Sequence, residues 1–568
     1  MHCQSFSFPL ESAYLYNIVQ ALVLLFVSAE VFTREQQRGP LEALHVRPAG
    51  NRELLLGKAL GMIRVFLAVG LCSMLVSAGI NLWGSVAPFS PWYYLYYFLT
   101  LTLPSLVFFT GFSLWVSWLT RSRGTSLAIL AGFLYLSAVV LPGILGGLLD
   151  FTGSGLSNVF SVATGHVDGR TYALHRLAYL LAGAGFLCWT VRLHRRLPNN
   201  RGGVNACLGV GAGLVLAGAL VLCVPLSSRL AEGKVREAYR KAFRRHGGET
   251  HFRVTRHDIT VEQQGGSIRG TSELTLRNTG GQSRERLVLY LNPGFTVEGI
   301  EESGRSLSFR RDGQVLLVDR SLAAGDSVRL RLRYGGELDE RVAYLELGDE
   351  AYHDTKRGNN FFHLGRRHAL VGDDALVLVP ELLWYPVAVS PVNPVSPVLT
   401  GRDYTLYRLR VVRPRQRVIL SQGDGVRRGD TVEFCPPRPL EGLTLCGGDY
   451  EKKSVKLAGL QVEWYHFPGN DFITPLLDSL DAVAIQKRVF SFFEQRLHVA
   501  ATYYTDGRID KQSINELLIR RDWQTDDKSR LQIVETPLAF VSHARVWKGR
   551  SEYIQPGMVL AGERAMGM

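Results

Sequence analysis

The chain has 568 residues, of which 46% are hydrophobic and 20% charged, and its net charge is +13. It is too long for one hydrophobic core, because single cores stop growing near about 250–300 residues. The composition excludes a disordered or collagen-like chain, and seven cysteines in such a length exclude a small disulfide scaffold. Residues 1–228 hold only 14 Lys and Arg and 7 Asp and Glu, against 50 and 44 in residues 229–568. The two parts therefore predict two kinds of structure.

Six apolar stretches in the first part, residues 1–228, are long enough to cross a bilayer, which takes about 20 helical residues. A backbone in lipid must satisfy its own polar groups, so each stretch is predicted to be a transmembrane helix. The predicted spans cover residues 14–32, 59–83, 92–118, 126–149, 172–193 and 204–225. Gly209 and Gly213 suit close packing between helices. His175 and Arg176, near one end of span five, predict an interface anchor or, alternatively, a place on a substrate path.

The basic residues predict which ends of the spans face the cytoplasm. Eleven of the fourteen lie at the connections after spans one, three and five, whereas the other two connections hold Arg170 alone. By the positive-inside rule those eleven lie in the cytoplasm. The N-terminus and everything after Pro225 are then predicted to be extracytoplasmic.

The connection between the first two spans has its own pattern. Leu41 and Leu44 recur at helical spacing and Pro48 ends the run, which predicts a short amphipathic helix. Such a helix either docks in a partner's groove or lies in the lipid interface. Nine residues of this region resemble the cytoplasmic signature of ABC-2 type transporter permeases: Glu35, Arg38, Gly39, Leu41, Glu42, Leu44, Pro48, Gly57 and Lys58.

This resemblance implies that the region meets an ATP-hydrolysing subunit. The chain contains no G-x-x-x-x-G-K-[ST] motif, so ATP would be bound by a separate ABC ATPase subunit. Pro40 stands where the family usually has threonine, and one span precedes the loop where the family has two. We therefore expect a truncated start or a first helix that is supplied otherwise. The implied location is the bacterial inner membrane, with lipid and a second permease copy as further partners and no nucleic acid.

The residues after span six predict three pieces: a basic amphipathic helix at 229–248, a β domain at 249–470 and a partly helical segment at 471–568. The basic helix is expected to face solvent or lipid headgroups. From His251 onward, apolar and polar residues alternate between Gly-rich turns, which predicts an antiparallel sandwich or saddle. The predicted fold class is thus a polytopic α-helical membrane domain followed by an α+β, mainly antiparallel β, soluble domain.

Six short motifs of this second part stand at residues 257–261, 289–291, 297–300, 384–386, 420–423 and 531–537. Together they resemble the N-terminal β-domain of M1-family zinc aminopeptidases, over about residues 250–540. The resemblance implies an M1-like β domain at 249–470 and the start of a catalytic-like domain at 471–568. In that family two histidines of an H-E-x-x-H motif and a further glutamate hold zinc. The 568 residues contain no H-E-x-x-H, and Val559 stands where the family's amine-binding glutamate belongs. We therefore expect no catalytic, cofactor-binding or metal site in this chain, and no peptidase activity.

Two cysteines lie in the part predicted to be extracytoplasmic, Cys435 and Cys446. Oxidation can occur in that compartment. The pattern leaves open a disulfide between them or two packed thiols.

The leading interpretation is a permease subunit of an ABC-2 type transporter with a non-catalytic, M1-like outer domain, powered by a separate ATPase. The alternative is a fragment of a membrane-anchored M1 zinc aminopeptidase whose H-E-x-x-H region lies beyond residue 568, and zinc is expected only in that case. A third interpretation is an adhesion or assembly module on an anchor that does not transport.

Overall fold

The structure is a computed structural model that describes residues 5–36, 51–84, 88–193, 201–246, 251–353, 365, 367–395, 403–457, 460–471, 474, 530–542 and 553–563. Within these ranges, six helices are long and apolar enough to cross a membrane. They are α1 (Ser7–Gln36), α2 (Asn51–Gly84), α3 (Pro91–Thr120), α4 (Arg123–Gly143), α5 (Gly169–Leu193) and α6 (Arg201–His246). The prediction of six long apolar helices is confirmed.

Two of these helices depart from α geometry inside the apolar region. Phe98–Thr102 of α3 and Leu136–Val140 of α4 are π-helical turns, which displace backbone carbonyl groups from their usual partners. Helix α4 ends at Gly143, earlier than the predicted end at Leu149. The chain turns there because Pro142 lacks a backbone donor and Gly146 takes a positive φ of 63°.

Helices α3 and α5 cross where two glycines allow their backbones to touch. A Cβ atom on Gly111 would lie 2.2 Å from the carbonyl oxygen of Gly183, and one on Gly183 would lie 2.5 Å from Cα of Phe108. Small residues let helix backbones approach in this way in lipid, where dispersion contacts drive association. The close crossing of α3 and α5 therefore requires that Gly111 and Gly183 have no side chain.

The glycines that pack α6 against α5 differ from those predicted. A Cβ atom on Gly209 or Gly213 would meet no described atom within 4 Å, so their predicted role in packing is wrong within the described chain. Gly211, between them, faces α5, since its Cβ would lie 2.9 Å from the carbonyl oxygen of Gly185. The face of α6 that packs against α5 therefore carries Gly211 and not Gly209 or Gly213.

Arg176 of α5 lies inside the helix bundle, only 3% exposed. Its guanidinium donates to the carbonyl oxygens of Thr100, Leu101 and Phe151 at 3.1, 2.8 and 2.8 Å and to the hydroxyl of Ser105 at 2.6 Å. Thr100 and Leu101 belong to the π-helical turn of α3, which makes their carbonyls available. The prediction that His175 and Arg176 anchor α5 at the interface is wrong, because protein encloses both side chains.

The strands begin with a hairpin of β1 (Phe160–Ser161) and β2 (Gly165–His166) between α4 and α5. The first strands after α6 are β3 (Phe252–Gln264), β4 (Ser267–Asn278), β5 (Leu287–Tyr290), β6 (Phe295–Glu302), β7 (Arg305–Ser306), β8 (Phe309–Asp312), β9 (Val315–Val318) and β10 (Ser327–Glu337). A short helix, α7 (Asp349–His353), follows. The later strands are β11 (Leu370–Val371), β12 (Ala375–Leu378), β13 (Leu406–Val412), β14 (Val418–Ser421), β15 (Gly425–Arg428), β16 (Thr431–Phe434), β17 (Leu445–Gly448), β18 (Glu451–Leu457), β19 (Leu460–His466), β20 (Arg530–Thr536), β21 (Tyr553–Gln555) and β22 (Met558–Gly562).

The strands after α6 form four sheets in the described chain. The largest has the order β15-β16-β13-β3-β4-β10-β6-β7, and smaller ones have the orders β11-β12-β17-β14, β5-β9-β8 and β18-β19-β20-β22-β21. Pairing is antiparallel except between β3 and β13, β19 and β20, and β20 and β22. The predicted, mainly antiparallel β fold is confirmed, and buried and exposed residues alternate along β4 and β10 as period-two patterning requires. The helical part predicted within 471–568 lies outside the described residues.

Helix α6 runs unbroken through the predicted boundary between span six and a separate helix at 229–248. It has 46 residues, with Pro225 inside it. A proline removes one helical hydrogen bond and bends the helix but does not end it when packing holds both sides. One helix therefore enters the β domain directly from the membrane region.

Cys435 and Cys446 are both free, so the disulfide considered between them does not form in the structure. Cys435 is exposed and follows β16 in the eight-stranded sheet, whereas Cys446 is buried within β17 of the four-stranded sheet. Burial raises the pKa of the Cys446 thiol above its usual value. The two thiols belong to different layers of the domain.

Candidate coupling site

The residues predicted to meet an ATPase fall at one end of helices α1 and α2. Glu35 stands in the last turn of α1, and Gly57 and Lys58 stand in the second turn of α2. The six others lie outside the described residues: Arg38, Gly39, Leu41, Glu42, Leu44 and Pro48. The described part of the region is thus the pair of helix ends that flank the connection.

The beginning of α2 is packed against two other helices at this end. Ala59 is fully buried and packs in one apolar cluster with Leu114 of α3 and Leu187 of α5. Helix α1 meets α4 here as well, since a carboxylate oxygen of Glu30 lies 3.4 Å from the guanidinium of Arg123. A displacement of α2 would reach α3 and α5, because closely packed helices shift together.

The β domain contacts the opposite end of the helix bundle. Leu538, just after β20, packs in one apolar cluster with Phe6 and Leu10 at the beginning of α1. Helix α1 has 30 residues, a length of about 45 Å, which exceeds the bilayer's hydrocarbon thickness of about 30 Å. Glu35 and the Leu538 contact are therefore at opposite ends of the membrane region.

Arg236 of α6 joins the long helix to the β domain. Its side chain is fully buried, and its guanidinium donates to four carbonyl oxygens, those of Arg341, Ala343, Tyr344 and Leu347, at 3.0, 2.8, 3.0 and 3.3 Å. The guanidinium carbon lies 3.5 Å from the centre of the Tyr352 ring, a cation–π contact. The planar guanidinium can satisfy several carbonyls at once, which a lysine cannot do in the same geometry.

Further residues extend this contact along the same face of α6. Arg240 donates to the carbonyl oxygens of Leu345 and Leu347 at 2.9 and 2.7 Å, and the Tyr239 hydroxyl donates to Asp339 at 2.6 Å. Phe243, one turn further, is buried in an apolar cluster of the β domain. The expectation that the basic helix faces solvent or headgroups is wrong for this face, because the β domain covers it.

Glu563, just after β22, holds the hairpin of β1 and β2. Its carboxylate accepts hydrogen bonds from the Ser161 hydroxyl and the Val162 backbone N–H at 2.7 Å each, and from the Leu538 N–H at 3.1 Å. The side chain is buried. An ionised carboxylate in such a place requires several donors, and these three supply them. We call Glu563 with Ser161 and Val162 the carboxylate latch.

The position of the carboxylate latch follows from the strand topology. Strands β20 and β22 are parallel, so their carboxyl ends meet at one edge, where Glu535 stands near Glu563. Burial raises the pKa of Glu535 well above its usual value, and the nearby charge of Glu563 raises it further. The Phe467 N–H and the Asn470 side chain donate to Glu535 at 2.7 and 2.6 Å. This edge of the sheet faces the membrane helices.

We expect Glu563→Gln to loosen the carboxylate latch by about 1.5–3 kcal/mol, the usual range for hydrogen bonds to a charged group. The side-chain NH₂ of glutamine is a donor, and it would face groups that themselves donate to the carboxylate of Glu563. Hydrogen exchange of the Val162 backbone amide should accelerate by roughly 10- to 100-fold. Glu298→Gln is the control, since Glu298 is 48% exposed and lies 3.9 Å from Arg269. Unchanged exchange at Val162 would contradict the latch.

Sequence reasoning missed both contacts between the membrane helices and the β domain. For α6, a signal was present: Arg229, Glu232, Arg236, Arg240 and Phe243 recur at spacings of three and four residues, which marks one face that mixes charge with an aromatic ring. For the carboxylate latch there was no local signal, because Glu563 and Ser161 are 402 residues apart.

Six apolar helices attached through α6 and the carboxylate latch to a β-rich domain define a polytopic membrane protein with a large extramembrane domain. The comparison with protein families agrees with this class. Residues 4–157 match the family model described as ABC-2 family transporter protein. The resemblance to ABC-2 type transporter permeases that the sequence predicts is therefore confirmed over residues 4–157. No curated protein matches the chain.

Solved structures similar to the C-terminal part are M1-family enzymes. The M1 zinc metallopeptidase from Deinococcus radiodurans is 14% identical over 56% of this chain and 61% of that one, with a TM-score of 0.32. Aminopeptidase A of Legionella pneumophila is 11% identical over 55% of this chain and 31% of that one, with a TM-score of 0.34. The matched part thus spans about three fifths of the Deinococcus enzyme's length. In the described residues, no group of three His, Cys, Asp or Glu is placed to hold a metal ion.

Proposed function

We propose that this chain is the permease subunit of an ABC-2 type transporter in the bacterial inner membrane, driven by a separate ATPase subunit. In this proposal the ATPase binds at the α1–α2 connection on the cytoplasmic side. The β domain lies outside and serves as a non-catalytic platform. Membrane lipid and a second copy of the permease are the other proposed partners.

The observation that supports this arrangement best is the placement of the two contact regions at opposite ends of α1. Leu538 of the β domain packs at its beginning, and Glu35 stands in its last turn. The basic residues Arg121 and Arg123 lie at the same end as Glu35, which favours that end as cytoplasmic. The match of residues 4–157 to the ABC-2 family model also supports the proposal that these helices belong to a permease.

The proposed cycle starts with the ATPase moving the beginning of α2. The Ala59 contact passes this movement to α3 and α5. Arg176 joins those two helices to the carbonyl of Phe151 in the connection before the hairpin, and the carboxylate latch joins the hairpin to the β domain. Each step is a packed or hydrogen-bonded contact, so the two ends of the bundle are physically linked.

We expect the charge-reversal pair Glu35→Lys and Arg38→Glu to abolish co-purification with the ATPase subunit. Reversed charges put like charges together in a partner interface, which costs several kcal/mol. The matched control is Arg269→Glu with Glu298→Lys, an exposed pair on the β domain, which should leave co-purification intact. Isolation of the unmodified chain as a lone subunit in every detergent would contradict the proposal.

The non-catalytic role of the β domain has a separate test. The chain should not release amino acids from aminoacyl p-nitroanilides, with or without added zinc, because Val559 cannot bind a substrate amine as a glutamate does. The readout is the absorbance of p-nitroaniline with the full chain in detergent. Zinc-dependent release would overturn the non-catalytic proposal and favour the aminopeptidase alternative.

A further inference from the structure

A cavity of about 680 Å³ lies where the membrane helices meet the β domain. One wall is the face of α6 that carries Pro225, Ser228, Arg229 and Glu232, together with Leu148 and Asp168 from the connections at this end of the bundle and Thr171 at the beginning of α5. The other wall is residues 337–341 of the β domain with Tyr352, His353 and Arg367. This volume falls within the range of about 300–1,000 Å³ that is usual for small-molecule sites.

Both walls present charges of both signs to the cavity. Asp339 and Arg341 form a bidentate pair, with distances of 2.8 and 2.7 Å. Glu340 and Arg367 form a second pair at 2.5 Å. On the opposite wall, α6 contributes Arg229 and Glu232. A cavity walled by charges of both signs favours a ligand that itself carries both.

The two arginines of the β-domain wall can bind an anion while keeping these pairs. A guanidinium has five N–H donors. Arg341 uses Nε and Nη2 on Asp339, and Arg367 uses Nε on Glu340. Their side chains are 39% and 56% exposed. Their remaining amino groups suit a carboxylate or phosphate, which guanidinium groups bind through paired hydrogen bonds.

Glu232 supplies the complementary anionic group. Its carboxylate lies 3.6 Å from the ring Nε2 of His353 and is 26% exposed. It stands one turn from Ser228 on the cavity face of α6, and that turn places both on the same wall. A mostly buried carboxylate beside an aqueous cavity attracts an amine more strongly than one in open solvent.

We propose that this cavity binds a small zwitterion, in which an amine and a carboxylate or phosphate group are separated by a short backbone. The amine faces Glu232, and the anionic group faces Arg341 and Arg367. The inference rests on the proposed transport function, for which the zwitterion is the transported solute at the extracytoplasmic end of its path. The same chemistry occurs in a free solute and in a phosphatidylethanolamine headgroup.

The test uses the full chain in detergent and calorimetry with triglycine, N-acetyl-triglycine and triglycine amide. Triglycine should bind, and loss of either terminal charge should weaken binding by roughly 10- to 100-fold. Glu232→Gln should weaken triglycine binding by a similar factor but leave N-acetyl-triglycine unaffected, because that probe has lost the same interaction. Arg367→Gln should likewise weaken triglycine binding but leave the binding of triglycine amide unaffected, because that probe has lost the carboxylate that Arg367 binds. The controls are Glu237→Gln and Arg244→Gln, which are outside the cavity on α6.

A second arm distinguishes the source of the zwitterion. Native mass spectrometry after incubation with equal amounts of phosphatidylethanolamine and phosphatidylglycerol should show selective, Glu232-dependent retention of the first if the ligand is a lipid. Triglycine binding without such retention indicates a free solute. Binding of neither probe, or binding that Glu232→Gln and Arg367→Gln do not change, overturns the site. None of these readouts involves an ATPase, so the loss of ATPase co-purification would overturn the proposed function while leaving the cavity result standing.

Discussion

Replacing Gly183 by valine should prevent the helix bundle from forming. The new Cβ atom would lie 2.5 and 2.6 Å from the backbone Cα and nitrogen of Phe108. Backbone atoms cannot move aside as a flexible side chain can, so α3 and α5 would have to separate. We expect a loss above about 4 kcal/mol, the range of severe overpacking. The measurement is the fraction of the purified protein that elutes as a single species in detergent and its Tm.

Gly132→Val is the matched control for this substitution. Gly132 lies in α4, also inside an apolar helix, and a Cβ atom there would meet no described atom within 4 Å. We expect a change within about 0.5 kcal/mol, as for other substitutions away from a packed interface. Equal behaviour of the two variants would show that the α3–α5 crossing is not the tight contact described above.

Replacing Arg236 by methionine should release α6 from the β domain while leaving the membrane bundle folded. The substitution keeps most of the side-chain volume but removes the hydrogen bonds to four carbonyl oxygens. The carbonyl oxygens of Tyr344 and Leu347 keep another donor each, the Leu347 N–H and Arg240, whereas those of Arg341 and Ala343 lose the arginine. We expect a loss of about 3–5 kcal/mol, because each buried carbonyl that loses its donor costs about 1–3 kcal/mol. Limited proteolysis should then cut within residues 341–349 at a much lower protease concentration than in the unmodified protein.

The conservative and control variants separate packing from hydrogen bonding at this contact. Arg236→Lys retains the charge but cannot reach all four carbonyls, so it should fall between the methionine variant and the unmodified chain. Arg244→Met removes a 53% exposed arginine of the same helix whose carboxylate partner, Glu237, lies 3.5 Å away, and it should cost at most about 0.5 kcal/mol. If Arg236→Met resists proteolysis like Arg244→Met, the contact is not what holds the domain.

The apolar helices and the alternating strands could be predicted because both patterns are local. A run of about 20 apolar residues can form few structures in lipid. The alternation of buried and exposed residues along β4 follows directly from the alternation of apolar and polar residues in its sequence. The likeness to ABC-2 type permeases could be recognised from a short motif for the same reason. These predictions did not depend on which distant segment each element would meet.

The burial of Arg176 and Arg236 could not be predicted from the sequence. The carbonyl groups that accept their hydrogen bonds are either distant along the chain or made available by a local change of helix geometry. Arg176 was expected at the interface, but its partners are carbonyls that a π-helical turn in α3 displaces. Arg236 donates to carbonyl groups about a hundred residues further along the chain. They lie in a turn for which the sequence has no periodic pattern. A long cationic side chain near a helix end is compatible with water, lipid headgroups or a folded domain, and only the tertiary structure decides.

The continuity of α6 constrains how the β domain can be oriented. From Pro225 to His246 the helix rises by about 30 Å, and its far end is fixed in the domain by Arg236, Arg240 and Phe243. A tilt of about 10° at Pro225 would carry that end sideways by about 5 Å. Because the described contacts hold the domain on a continuous helix, a reorientation of the sixth span would swing the whole domain over the membrane surface.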